Sequence, residues 1–129
     1  MPSVAIVGAS TNAERPSNLA VRRFRARGYT VWPVHPAGHS IDGLPGFRAL
    51  AGLPGRPDLV CMYVNPETGL GMLDEIVACR PQVLWLNPGA DGEPLLSAAR
   101  ARGLRVVEAC ALVALATGDP LQETLGGGD

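Results

Sequence analysis

The stretch VAIVGASTNAERPS, from Val4 to Ser17, decides the fold of this chain. Its first four residues form a continuous apolar run, which is typical of a strand covered on both faces of a sheet. A segment with helical spacing follows over Ser17–Arg27 and stops at Gly28, and a second apolar run spans Thr30–Val34. A strand, a helix and a strand in this order predict a right-handed crossover between two parallel strands.

The same alternation continues along the rest of the chain. Further strands are predicted at Leu59–Val64, Val83–Leu86 and Leu104–Val107, and further helices at Thr68–Cys79, Glu93–Arg102 and Cys110–Ala116. This order predicts an α/β protein, a Rossmann-like three-layer sandwich with a five-stranded parallel sheet between helices. We expect residues 1–117 to form the domain and the glycine-rich residues 118–129 to form a flexible tail.

Composition excludes several classes of function. The 129 residues suffice for one core, and the net charge of −1 argues against a nucleic-acid-binding protein. No apolar run is long enough to cross a bilayer, and the first residues do not resemble a signal peptide. The chain has no lysine for Schiff-base chemistry, and its three cysteines lack metal-ligand spacing. We therefore expect a cytoplasmic protein with reduced thiols, no metal site and no membrane partner.

The loop after the first strand carries the main candidate site. Ligands of doubly wound sheets bind at the carboxyl ends of the strands, and this loop is long and rich in donors. Its small residues let a ligand approach the backbone. Its hydroxyls, its arginine and the N–H groups at the start of the helix favour binding of a phosphate group. The predicted contacts are Gly8, Ala9, Ser10, Thr11, Arg15 and Ser17. The alternative is a plain turn with Ser17 as helix N-cap, and the three-glycine dinucleotide motif is not met.

The second strand ends in His35-Pro36, where NAD-binding domains place an acidic residue. A histidine can donate a hydrogen bond or carry positive charge, so His35 favours a ribose that bears a phosphate. Coenzyme A and NADP both carry such a group. The alternative is a surface histidine beside a turn proline.

The later strand ends add polar candidates. Two strands end in Asn-Pro, at Asn65-Pro66 and at Asn87-Pro88-Gly89, and their amides match peptide-like groups such as those of pantetheine. Asn-Pro is also a common turn starter. Cys110 follows the fifth strand, where it would approach a cofactor thiol or, as an ordinary alternative, pack as a small apolar residue.

These motifs together resemble a known family, the stand-alone CoA-binding domains, which are similar to the amino-terminal domain of the succinyl-CoA synthetase alpha subunit. The resemblance rests on the following stretches: Val4–Ser10, Arg15–Ser17, Gly28-Tyr29, Val31–Pro36, Ile41–Gly43 and Asp58–Val60. It implies a five-stranded Rossmann-like fold with coenzyme A held by the first loop and the next strand ends. After the last strand this chain has Glu108-Ala109-Cys110, where many members have Asp-Arg-Cys followed by a basic residue, as in a divergent branch.

Three functions remain open at this point. The first is a non-catalytic binder of coenzyme A or an acyl-CoA, acting as a carrier, a sensor or a subunit, because no acid, base and nucleophile set is evident. The second is an enzyme, either NADP-linked or CoA-dependent, that uses His35 or Cys110. The third is a regulatory module, a homodimer through an exposed helix face with a vestigial pocket.

Overall fold

The computed structural model describes residues 1–126. Its sheet contains β1 (Ser3–Val7), β2 (Thr30–Val34), β3 (Leu59–Met62), β4 (Val83–Leu86) and β5 (Val106–Glu108). All neighbouring strands are parallel, in the order β2-β1-β3-β4-β5. The predicted five-stranded parallel sheet of Rossmann-like type is confirmed.

The central strands are buried on both faces, as their continuous apolar runs require. Successive side chains of a strand point to opposite faces. In β1, Val4 and Ile6 therefore join one core cluster, while Ala5 and Val7 join the other. Each face needs its own layer of helices to exclude water.

Within residues 1–126, six α-helices supply those layers. They are α1 (Pro16–Ala26), α2 (Pro66–Gly71), α3 (Leu73–Cys79), α4 (Leu95–Ala101), α5 (Ala111–Thr117) and α6 (Pro120–Gly126). Apolar residues of α1, α5 and α6, such as Phe24, Leu115 and Leu121, pack on the first face. Those of α3 and α4, such as Ile76 and Leu95, pack on the second face. No helix within residues 1–126 has the length and apolar character needed to span a membrane.

The segment predicted as one helix over Thr68–Cys79 is two helices that meet at Met72. Glycines weaken a helix, and this segment contains Gly69 and Gly71. Gly69 is also required for packing, because a Cβ there would lie 2.6 Å from the Leu95 side chain of α4. Helix α2 packs against α4, and α3 packs on the second face of the sheet.

Helix α6 stands where a flexible tail was predicted over residues 118–129. The carboxylate of Asp119 accepts hydrogen bonds from the backbone N–H groups of Leu121 and Gln122, at 3.1 and 3.2 Å. An aspartate before a proline at the first helical position is a strong helix start. Leu121 is buried in the first core, so this segment belongs to the domain; residues 127–129 lie outside the described part of the chain.

The strand order places the site. After β1 the chain crosses to β2, which lies on one side of β1. It then returns to β3, which lies on the other side of β1. Such a reversal opens a crevice at the carboxyl ends of β1 and β3, where doubly wound proteins bind ligands.

Candidate functional site

A cavity of about 560 Å³ lies at this reversal point. It brings together eight of the residues predicted from the sequence: Gly8, Ala9, Ser10, Thr11, Arg15, Ser17, His35 and Pro88. Three further lining residues, Pro16, His39 and Tyr63, were not predicted. The β1–α1 loop thus forms most of the wall, and the ends of β2, β3 and β4 complete it.

Gly8 allows the loop to leave β1 tightly against β3. Its φ of +87° is in the left-handed region, and a Cβ there would lie 3.0 Å from Val64 Cγ1 and 3.2 Å from the Tyr63 carbonyl carbon. The N–H groups of Gly8 and Ala9 both donate to the Val34 carbonyl, at 2.9 and 3.2 Å. A side chain at Gly8 would force the loop away from this position.

Side chains within the loop fix its shape. The buried Ser17 hydroxyl accepts a hydrogen bond from the Ser10 N–H at 3.1 Å, and Asn18 Nδ2 donates to the Ser10 carbonyl at 2.8 Å. The Ser10 hydroxyl in turn accepts from the Asn12 N–H at 3.0 Å. Ser17 is therefore not the N-cap considered from the sequence, because α1 begins at Pro16 and Arg15 precedes it.

Several donors at this loop have no partner inside the protein. Within the described residues, the N–H groups of Thr11, Ser17 and Asn18 donate no hydrogen bond, and the exposed Arg15 guanidinium makes no ion pair. The first N–H groups of a helix carry the positive end of its dipole. Free N–H groups and a free guanidinium on one loop form a binding site for an anionic group such as phosphate.

The end of β2 adds two histidines. His35 Nδ1 accepts a hydrogen bond from the Ala37 N–H at 3.0 Å, which leaves Nε2 to carry the proton of the neutral ring. The His39 ring stacks on the His35 ring, with a centroid distance of 5.9 Å and an interplanar angle of 27°. His39 lies four residues beyond His35 in an irregular loop, so no sequence period indicated this contact.

A second cavity of about 300 Å³ adjoins the first and shares Gly8, His35 and Tyr63 with it. Its walls are largely apolar side chains, including Val34, Pro36, Val64 and Met72, and Arg48 is the charged side chain among its lining residues. The predicted residue Pro36 belongs to this cavity. The two cavities offer one polar and one mainly apolar compartment to a ligand.

The two predicted asparagines lie outside both cavities. Asn87 is only 1 % exposed; its Nδ2 donates to the Met62 carbonyl at 3.0 Å, and its Oδ1 accepts from the Ala111 N–H at 2.8 Å. Asn65 is exposed and caps α2 by accepting from the Thr68 N–H at 2.8 Å. Asn87 thus uses both of its amide atoms within the protein, whereas Asn65 uses its Oδ1 alone, and neither residue lines a cavity.

Three more predicted residues line neither cavity. Pro66 is the first residue of α2, and Gly89 is part of an exposed turn whose N–H donates to Asp91. Cys110 is half-buried at the start of α5. Each follows a strand, as predicted, but none of the three is among the residues that line the cavities.

Two titratable side chains of β3 and its end are raised in pKa: Tyr63, which lines both cavities, and the buried Cys61. Burial raises the pKa of the Cys61 thiol to about 12, although a hydrogen bond from the Asn87 amide lowers it in part. Burial also raises the pKa of Tyr63 well above its usual value, and the adjacent Cys61 and Cys110 thiols act in the same direction. Cys61 and Tyr63 therefore remain protonated at neutral pH and supply no nucleophile.

Carboxylates are absent from the walls of both cavities. In the stretch from residue 1 to residue 126, no group of three or more His, Cys, Asp or Glu side chains is placed to hold a metal ion. With Arg15, Arg48 and two histidines as the ionisable groups besides Tyr63, the electrostatic character of the crevice favours an anion.

Comparisons with known proteins agree with this picture. A family model described as a CoA binding domain matches residues 2–116. The uncharacterized protein YneT of Bacillus subtilis is 25% identical over 104 residues, which cover 81% of this chain and 77% of YneT.

Solved structures show the same fold. A Thermus thermophilus protein matches with a TM-score of 0.81 and 29% identity, over 87% of this chain and 86% of that one. A dinucleotide-forming acetyl-coenzyme A synthetase of Ca. Korarchaeum cryptofilum, in complex with phosphate and ADP, matches with a TM-score of 0.69 and 22% identity. That match covers 81% of this chain and 25% of the synthetase chain.

Proposed function

Because this chain belongs to the CoA-binding domain family, we propose that it binds coenzyme A or an acyl-CoA in the crevice beside the β1–α1 loop. The observation that carries the proposal is the set of unpaired donors there: the N–H groups of Thr11 and Ser17 and the guanidinium of Arg15. Coenzyme A contains a pyrophosphate, and these donors fit such a group. The largely apolar second cavity offers room for a less polar part of the same ligand.

We propose a non-catalytic role as a carrier, a sensor or a subunit. Neither cavity wall contains a carboxylate, a cysteine or a lysine, and the pKa of Tyr63 is raised by burial. His35 Nδ1 is engaged by the Ala37 N–H. A general acid and base pair would need two groups free to exchange protons with a substrate. The three free thiols support a reducing compartment, which we propose to be the cytoplasm.

The test is isothermal titration of the folded protein with coenzyme A, with Arg15→Ala and Arg23→Ala as a matched pair of variants. Both arginines are exposed near or on α1, but only Arg15 lines the crevice. Loss of a charge-assisted hydrogen bond costs about 1.5–3 kcal/mol, so Arg15→Ala should weaken binding at least about tenfold. Arg23→Ala should leave the affinity unchanged.

Two results would contradict the proposal. Absence of any heat with coenzyme A or acetyl-CoA, in a sample that circular dichroism shows to be folded, would reject binding. Turnover of either ligand by the purified protein would reject the non-catalytic role and favour a CoA-dependent enzyme.

A further inference from the structure

Helix α5 differs from the other helices in the chemistry of its surface. Within residues 1–126 it is the one α-helix without a charged side chain, and the whole stretch of residues 109–118 is uncharged. On its solvent side Val113 is 62 % exposed, beside the exposed Ala116 and the half-buried Leu112. We call Leu112, Val113 and Ala116 the α5 face. The solvent side of a surface helix normally carries charged or polar residues, so this face has the character of a contact surface.

A small cleft lies beside this face, between α1 and α5. Its volume is about 190 Å³, and it is lined by Arg23, Ala26, Arg27 and Leu115. The Arg27 guanidinium donates to the carbonyls of Leu115 and Gly118, which ties the end of α5 to the end of α1. Because Ala26 is small and Leu115 is apolar, the cleft is suited to an aliphatic side chain.

Charged groups of opposite sign lie at the two ends of α5. At the Leu115 end, the exposed Arg23 lines the cleft and makes no ion pair within the described residues. At the other end, the exposed Glu108 comes three residues before Ala111, where α5 begins. Its carboxylate accepts the Gly92 N–H at 2.8 Å and forms no ion pair as far as residue 126. Two antiparallel copies of α5 would bring each Glu108 to the Arg23 of the other copy.

We propose that two copies of this chain form a homodimer through the α5 face, with the two α5 helices antiparallel about a two-fold axis. Val113 of each copy enters the cleft of the other copy, and Arg23 pairs with Glu108 across the interface at both ends. A two-fold dimer needs a surface complementary to itself, and an apolar projection beside a cleft, with opposite charges at its ends, meets that need. An apolar centre with a charged rim is also the usual composition of such interfaces.

The interface leaves the ligand crevice open. Neither α5 nor Arg23 contributes a lining residue to the two larger cavities. Dimerisation therefore does not depend on the proposed binding of coenzyme A, and the two proposals stand or fall separately.

The experiment measures the mass of the full chain by sedimentation equilibrium, from about 1 µM to about 1 mM protein. The wild-type protein should reach the mass of two chains within this range. Val113→Glu should raise the dissociation constant at least about a hundredfold, because the two-fold axis buries the new carboxylate twice. Leu70→Glu is the matched control, since Leu70 is an exposed apolar residue of α2, and this variant should dimerise like the wild-type protein.

Further variants test the arrangement of the two copies. Ala116→Glu, a second substitution on the α5 face, should act like Val113→Glu, and circular dichroism checks that each variant is folded. Arg23→Glu and Glu108→Arg should each weaken dimerisation severalfold, because like charges then face each other. The double variant with both reversals should recover most of this loss.

Three results would overturn the proposal. If the wild-type protein has the mass of one chain at every concentration, the α5 face does not bind a second copy. Dimers that persist in both Val113→Glu and Ala116→Glu would use another surface. A double charge reversal that dimerises no better than the single ones would reject the antiparallel pairing.

Discussion

At the end of β4, the side chain of Asn87 joins three parts of the fold. It bonds to Cys61 and to the Met62 carbonyl in β3 and receives the Ala111 N–H of α5. A buried amide that is fully hydrogen-bonded has no donor left for a ligand. Asn87 and Asn65 look alike in the sequence, since both precede proline, but only Asn87 is buried.

The two asparagines should therefore differ in their effect on stability. Asn87→Ala leaves the buried Ala111 N–H without a partner and removes one of the two hydrogen bonds to the Met62 carbonyl, so we expect the free energy of unfolding to fall by about 2–3 kcal/mol. Asn65→Ala removes one exposed helix cap and should cost about 1 kcal/mol. Urea denaturation of both variants measures the difference. An equal loss in both would mean that Asn87 is not structural.

Two glycines with similar backbone angles test the crowding at the β1–α1 loop. Gly8 and Gly28 have φ values of +87° and +94°, but an added Cβ meets nothing within 4 Å at Gly28 and contacts Val64 and Tyr63 at Gly8. Gly28→Ala should cost about 1–2 kcal/mol from the left-handed backbone alone. Gly8→Ala should cost more and should also weaken CoA binding, because the loop must move. If titration finds unchanged affinity in Gly8→Ala, the close approach of loop and β3 is not needed for binding.

Helix α6 is held to the domain by side chains far away in the sequence. The Tyr29 hydroxyl donates to Asp119 Oδ1 at 2.6 Å and accepts from the Leu121 N–H at 3.3 Å. Arg27 also donates to the carbonyls of Leu115 and Gly118. These contacts tie α5 and α6 to the end of α1, so the element is stable only in its tertiary setting.

We expect Tyr29→Phe to lower the free energy of unfolding by about 1–3 kcal/mol, because Asp119 loses a hydrogen bond to its charged group. A double-mutant cycle with Asp119→Ala measures the coupling between the two side chains. The affinity for coenzyme A should not change, since neither residue lines a cavity. Additive losses in the cycle would show that the pair does not interact in solution.

Across the whole molecule, the groups with raised pKa values all lower the stability of the fold as the pH becomes alkaline. Burial raises the pKa values of Tyr29, Tyr63, Cys61 and Cys79, and that of Cys61 reaches about 12 against an ordinary value of 9.0. Between these two values the unfolded thiol loses its proton while the folded one keeps it. Rising pH therefore favours the unfolded state in this range.

The contribution of Cys61 should be about 1.4 kcal/mol per pH unit above pH 9. Urea midpoints at several pH values from 8 to 11 should show a shallower decline for Cys61→Ala than for the wild-type protein, even though the variant starts from lower stability. Parallel curves for the two proteins would show that the Cys61 thiol ionises as readily in the folded state.

The sequence by itself determined the order of the five strands, the parallel sheet and the loop from Gly8 to Ser17, because apolar periodicity and turn residues act between near neighbours. The tertiary structure decided which polar groups face the crevice. Asn87 points inward, where its Oδ1 accepts from the Ala111 N–H of α5, and Gly46 lies close against the backbone of His39, whose ring stacks on that of His35. These contacts join residues that no helix or strand period relates in the sequence. They form only when the strands and helices pack into the tertiary structure.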